Sequence, residues 1–227
     1  MNIDKNPELD RWNERFAGEA YHFGTAPNAF LAAQGHRLQP GMTALAIADG
    51  EGRNSVWLAA QGLRVTAFDF APLGVAKAQR LARDRGVDVD YRVADIRGWD
   101  WDGAKYDVIA AIFFQFANPT DRARIFAGIS RALNPGGLLL LQGYRIEQLQ
   151  YGTGGPPWPA HLYSEALLRD SFSALEILQL AAHDDEVHEG KGHDGMSALI
   201  DLIARSKGET GQERQCRDAS KGADDLT

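Results

Sequence analysis

Cysteine is nearly absent from this 227-residue chain: Cys216 stands alone. No disulfide can close within the chain, and no zinc site can be assembled from several thiolates. Long apolar runs are missing too. No window reaches the roughly 18 apolar residues that a membrane span requires. The first six residues hold no basic segment followed by an apolar run, so no secretory signal is expected. Positive charge is also short, with 24 Lys and Arg against 31 Asp and Glu for a net charge of −7. Phosphate-backbone binding needs the opposite excess. What is present is a 44% hydrophobic fraction, enough at this length to bury roughly 70% of the unfolded surface in a single core. The expectation is a cytoplasmic globular protein, monomer or homodimer, with a small-molecule substrate and no nucleic-acid or membrane partner.

Short β-rich runs alternate with amphipathic helical ones. Residues 9–17 place Leu9, Trp12, Phe16 and Ala17 at helical spacing, and a second apolar stretch covers 29–33. Strands are expected at 43–48, 64–69, 88–93, 106–114 and 138–143. Helices are expected at 53–61, from Pro72 to Arg85, and from Pro119 to Leu133, the last with Asn118 as N-cap and Asp121 in its first turn. Gly62 and Gly86 stand where two of these helices should stop. Residues 144–163 mix glycine and proline with Tyr144, Tyr151, Trp158 and Tyr163, an ordered loop with aromatic anchors. Ser164 can cap a helix at 165–172. Two more strands, near 174–182 and 196–204, flank a polar hairpin. From Ser206 on the chain is polar and is expected to be a disordered tail, 206–227. Strand–helix alternation implies right-handed crossovers and a doubly wound α/β sheet, which places ligands beyond the carboxyl ends of the strands.

Three of those strand ends are polar. Asp49-Gly50-Glu51-Gly52-Arg53-Asn54 links the first strand to its helix, and its glycines permit a sharp turn and close backbone approach to a ligand. Asp69 closes the second strand, where a carboxylate can accept from both hydroxyls of an adenosine ribose. Ala94-Asp95-Ile96 follows the third, where a carboxylate can meet an adenine amino group. Each has an ordinary alternative, a structural turn or a solvated strand-end carboxylate. Together they fit one adenosine-containing ligand. A nicotinamide dinucleotide prefers a third small residue where Ser55 stands, and a P-loop needs Gly-Lys-Ser/Thr where the chain has Gly52-Arg53-Asn54.

The order of these motifs, continued by Tyr106-Asp107-Val108-Ile109 and Leu133-Asn134-Pro135-Gly136-Gly137, resembles the class I S-adenosylmethionine-dependent methyltransferases. Gly50-Glu51-Gly52-Arg53-Asn54, Trp12-Asn13-Glu14-Arg15-Phe16 and Tyr21-His22-Phe23-Gly24-Thr25-Ala26-Pro27-Asn28 resemble the tellurite-resistance and thiopurine methyltransferase branch. The resemblance covers about residues 9–205. It implies a Rossmann-like, seven-stranded, mostly parallel sheet with helices on both faces and an antiparallel last strand at an edge. It also implies one domain over 1–205, with residues 1–35 as an N-terminal lid and 144–163 as a substrate-side loop. Trp12, Phe16, Tyr21 and Gly24 would cover the cofactor S-adenosylmethionine. Asp49, Gly50, Gly52, Asn54, Asp69, Phe70, Ala94, Asp95, Ile96, Ala111, Phe113 and Phe116 would line its site. Two departures stand out: Ala46 and Ala48 occupy places where the family has an acidic residue and a glycine, so Asp49 would have to meet the methionine ammonium.

The implied chemistry is in-line methyl transfer, in which alignment and exclusion of water supply most of the rate and aromatic faces suit the sulfonium. Phe23, Phe113, Phe116 and Tyr21 are candidates for those faces, with core packing as the alternative. For the acceptor, His22 is a candidate base, Gln115 a candidate orienting group, and Tyr144 and Arg145 leave the fifth strand on the ligand side. A surface salt bridge is the equal alternative for Arg145. His183, His188 and His193 recur every five residues, a spacing that stacks on neither a helix face nor a strand face, so no metal site is expected. Two other readings stay open at this point, an NAD(P)-dependent oxidoreductase and a catalytically silent S-adenosylmethionine-binding protein.

Overall fold

A computed structural model describes residues 6–208. The polar tail expected at 206–227 lies, from residue 209 on, outside the described residues. Seven strands form one sheet in the order β3-β2-β1-β4-β5-β7-β6, with β1 Thr43–Ile47, β2 Arg64–Asp69, β3 Val89–Val93, β4 Tyr106–Ile112, β5 Leu133–Tyr144, β6 Glu176–His188 and β7 Asp194–Arg205. The first five strands run parallel, and β7 pairs antiparallel with both β5 and β6. Helices α1 (Pro7–Phe16), α2 (Ala29–Ala33), α3 (Arg53–Ala60), α4 (Pro72–Arg85), α5 (Pro119–Ala132), α6 (Gln148–Tyr151) and α7 (Glu165–Ser171) surround it.

Parallel strands covered on both faces must be apolar throughout, and β4 shows why. Ile109 and Ala111 enter a core shared with Phe126, Ile129 and Phe172 of the α5–α7 side. Val108, Ala110 and Ile112 enter the opposite core with Leu31 and Leu58 of the α2–α3 side. Helix starts follow local chemistry. Asn118 accepts from the amides of Thr120 and Asp121 ahead of Pro119, and the Ser164 hydroxyl accepts from the Leu167 amide at 3.2 Å.

Two expectations are corrected. The antiparallel last strand does not sit at an edge: β7 lies between β5 and β6. Its residues Ser197–Ala204 are all buried, whereas β6 carries Glu176, His183, Asp184, Asp185 and Glu186 and suits the exposed margin. And β5 begins at Leu133, not Leu138. Leu133 pairs with Tyr106, the register then shifts so that Val108 meets Leu138, and the Asn134 amide donates to Asp107 across the bulge. Both arms of the β6–β7 hairpin also run farther than expected and reach back toward the N-terminal segment. No helix among the described residues is long and apolar enough to cross a membrane.

Candidate functional site

The chain bends sharply where β1 ends. Ala48 takes a left-handed φ of +48°, Gly50 +59° and Gly52 +91°. A Cβ on Gly52 would stand 2.6 Å from the Cβ of Ala78, so glycine there lets α3 pack on α4. The end of β4 bends similarly, with Phe113 at φ +51°. Between these bends lies a cleft of about 590 Å³ including its mouth. It is floored by Ala48, Asp49, Gly50 and Asp69, with Asn54 and Phe70 beside them and Trp12, Phe16, Phe113 and Phe116 as aromatic walls. A side cleft of about 260 Å³ opens past Asp69, Phe70 and Phe116 to Ala94, Asp95 and Ile96. The three strand ends therefore converge on one continuous hollow.

Its electrostatics are unusual. Asp69 is 7% exposed and accepts from the amides of Gly50 and Ala71, both at 2.9 Å. Burial outweighs those bonds and pushes its carboxyl up to about 6. Asp49 accepts from the Ser55 hydroxyl and amide, yet burial, with the Asp69 charge nearby, pushes it up to about 7. A half-buried and a buried carboxyl, both shifted toward neutral pH, suit a ligand that brings hydrogen-bond donors or positive charge.

The N-terminal segment is strapped over this cleft by buried ions. Glu51, 2% exposed, accepts from the amides of His22 (2.6 Å) and Phe23 (3.3 Å) and pairs with Lys77. Lys77 also donates to the carbonyls of Gly18 and Ala20. Farther along, Arg53 pairs with Glu189 at 2.6 Å, and Glu189 accepts from the Asn28 side-chain amide and the Ala29 backbone. Asn28 in turn donates to Gln142 and caps α2.

Beyond the strap a larger vestibule opens between α1, the 152–158 loop and the hairpin tip, sharing Trp12, Phe23, Phe113, Phe116 and His193 with the cleft. His22, Gln115 and Tyr144 line it. Gln115 is fully engaged, donating to the carbonyls of Tyr144 and His161 and accepting from the Tyr144 amide, so it braces β5 against the loop. Burial, reinforced by Arg15, lowers the His22 imidazole below its ordinary value.

Five expected site residues stand elsewhere. Arg145 is turned to the β6–β7 side, where it pairs with Asp184 and Glu147 and donates to the carbonyls of Leu199 and His183; the salt-bridge alternative describes it. Tyr21 lies against α4, donating to the Lys77 carbonyl under the cations of Lys77 and Arg80. Ala111 is sealed in the core, Gly24 faces the groove behind the strap, and Gly52 works through helix packing. The three histidines occupy separate settings: His183 bonds Asp201, His188 bonds Asp194, and His193 sits edge-on to Phe23 and Phe113. Sequence reasoning missed the cleft roles of Arg53, Phe114 and His193 and the strap anchors Glu51, Lys77, Asn28 and Glu189. For Glu51 and Arg53 the signal was there, two charged residues inside a glycine-bearing turn; for the others, distant in sequence, no local signal exists.

Among curated proteins, the chain is 31% identical over 118 residues to a carboxy-S-adenosyl-L-methionine synthase of Psychrobacter sp., covering 51% of this chain and 41% of that one. It is 35% identical over 98 residues to a ubiquinone biosynthesis O-methyltransferase of Methylobacterium sp., covering 43% and 39%. The chain thus spans about two fifths of the length of these relatives. Among solved structures, one described as "Conversion of a Disulfide Bond into a Thioacetal Group during Echinomycin Biosynthesis" superposes with a TM-score of 0.75 at 16% identity over 97% of this chain and 98% of that one. TehB from Haemophilus influenzae superposes with a TM-score of 0.66 at 19% identity over 88% and 67%. These likenesses show the Rossmann-like methyltransferase fold. Residues 44–137, the stretch from β1 to the β5 bulge that holds all three polar strand ends, match the family described as a methyltransferase domain.

Proposed function

We propose that this protein is an S-adenosylmethionine-dependent methyltransferase acting on a small soluble nucleophile such as a thiol or a chalcogen oxyanion, in the tellurite-resistance and thiopurine branch, with residues 1–205 as its single domain. The observation that carries the reading is the convergence of Asp49, Gly50 and Asp69 on one hollow whose other walls are aromatic. The match over 44–137 supports it, as does the sheet order, in which β7 enters between β5 and β6 instead of following the 3-2-1-4-5-6 order of dinucleotide-binding sheets.

The residues fit the cofactor. When bound, it supplies a methyl group on a sulfonium. Asp69 and the Gly50 turn would hold the ribose, and the side cleft between Phe70 and Ile96 would take the flat adenine. Asp95, held by Arg97 at 2.6 Å, rims that side cleft. Asp49, pushed up to about 7 by burial, would hold the methionine ammonium as a carboxylate once its proton is lost to solvent. Trp12, Phe16, Phe113 and Phe116 would present aromatic faces to the positive sulfur, each worth roughly 0.5–2 kcal/mol. The vestibule, which shares Trp12, Phe23, Phe113, Phe116 and His193 with the cleft, would bring the acceptor to the methyl group. Among the described residues the vestibule offers His22, whose imidazole is lowered, and Glu8, which faces Arg11; both are weak bases, which suits acceptors that are already nucleophilic.

Calorimetric titration with S-adenosylhomocysteine tests the proposal. Binding with a Kd on the order of tens of micromolar or tighter is expected. Absence of heat at that concentration, in buffers of different ionisation enthalpy, overturns it.

A further inference from the structure

Buried polar atoms are almost always hydrogen-bonded, and an orphan calls for an explanation. Three residues that line the vestibule carry buried polar atoms with no hydrogen bond of good geometry among the described residues: Trp12 Nε1, His193 Nδ1 and Tyr144 Oη, the last with the Ser197 hydroxyl close by. Tyr144 is 1% and His193 7% exposed, and their rings lie 5.7 Å apart. The His193 imidazole is pushed down to about 3, chiefly by burial and then by Arg53, so it is uncharged at neutral pH and can both donate and accept. Gly154 packs closely on this corner: a Cβ there would stand 2.8 Å from Tyr144 Oη.

The outer part of the same vestibule carries the opposite sign from the protein as a whole. Arg11, Arg15, His22 and Lys191 line it in a chain of net charge −7. Glu8, the vestibule's carboxylate, faces Arg11 at 4.0 Å, while Arg15 and Lys191 enter no ion pair among the described residues. Arg15 instead lies over the Trp12 ring at 4.6 Å. Their charges are felt locally: burial and Arg11 lower Arg15, and burial, Arg15 and Lys191 outweigh Glu51 in lowering His22, which is therefore uncharged at neutral pH. The walls between the orphans and the cations are flat, formed by Phe23, Phe116 and Trp158 with Pro156 and Pro157.

We propose that the vestibule binds a small aromatic carboxylate bearing a protic group, its ring between the aromatic walls, its carboxylate at Arg15 and Lys191, and its protic group received by Tyr144 Oη, His193 Nδ1 and Trp12 Nε1. The assignment narrows the acceptor class and rests on the methyltransferase reading. Aromatic walls select a planar ring, unpaired cations select its charge, and the orphaned hydrogen-bonding atoms select a protic group, a thiol or its hydroxyl analogue, at the far end.

The probes are 4-hydroxybenzoate, 4-hydroxybenzamide and benzoate, titrated into the full-length protein saturated with S-adenosylhomocysteine. 4-Hydroxybenzoate should bind roughly tenfold more tightly than the neutral amide at low salt, and the margin should shrink between about 20 mM and about 300 mM salt as the charges are screened. The Arg15→Gln/Lys191→Gln double variant should bring the carboxylate-to-amide ratio close to one while leaving S-adenosylhomocysteine affinity unchanged. Tyr144→Phe should erase the preference for 4-hydroxybenzoate over benzoate and spare the charge preference. Equal binding of acid and amide, an unchanged ratio in the double variant, or no binding of any probe overturns the proposal. If S-adenosylhomocysteine itself fails to bind, the methyltransferase reading falls, whereas retained cofactor binding with no probe preference removes the acceptor assignment alone.

Discussion

The floor and the roof of the hollow are built on different principles. The floor is local: Asp69 reaches Gly50 and Ala71, and Asp49 reaches Ser55, so neighbouring turns hold each other through short chain separations. The roof is assembled from afar. Asn28 bonds Glu189 across 161 residues and Gln142 across 114, and Glu51 and Lys77 clamp residues 18–23. A floor made of strand ends persists wherever the sheet folds. A roof made of buried ion pairs depends on each partner, because one charge left alone in the interior is costly.

The largest effect that would separate the two is at Glu51. Glu51→Ala strands Lys77 and two backbone amides and should cost about 3–5 kcal/mol, read as a lower midpoint in urea denaturation. A loss below about 1 kcal/mol would mean that the strap hangs on other contacts. Next comes the floor. Asp69→Ala should weaken S-adenosylhomocysteine binding by roughly 1–3 kcal/mol, and unchanged affinity would remove this carboxylate from the ligand.

A pH experiment comes third. The folded-state values of Asp49 and Asp69, about 7 and about 6, lie above the ordinary carboxylate value of 3.8. A raised acid contributes stability below its unfolded value that is lost as pH rises through the folded one. The ligand-free protein should therefore lose thermal stability from pH 5 to pH 8 through these groups, and Asp49→Asn should flatten the part of that slope nearest pH 7. A variant with the wild-type slope would show that Asp49 does not titrate there. Smallest is Ala48→Gly, which relieves a left-handed alanine and should raise stability by a few tenths to about 1 kcal/mol, measured as a small upward shift in Tm. A decrease would show that the Ala48 methyl packs more than it strains.

The same division explains what the sequence made legible. Strand ends could be read because their signals are contiguous: Pro119 after Asn118, Gly50 in its turn, Asp69 closing an apolar run. The placement of β7 inside the sheet was written in the seven apolar-dominated residues 198–204 against the charged β6, but following the edge position implied by resemblance hid it. The β5 bulge arises from a pairing of Leu133 with Tyr106 that no local pattern encodes. Glu189 and His193 looked like solvated hairpin residues because their partners, Asn28, Arg53 and Phe23, lie more than 130 positions away. Arg145 stayed divided between an acceptor contact and a salt bridge for the complementary reason: alternation places it on β5's exit, while its acidic partner Asp184 belongs to β6, far along the chain.

The two non-glycine residues forced into left-handed backbone, Ala48 and Phe113, close neighbouring hydrogen-bonded strands. Like two bent pins on one hinge plate, they set the width of the opening together, so relaxing one would tilt the other. Substitutions that ease either bend are thus expected to change which guests enter before they change whether the protein stands.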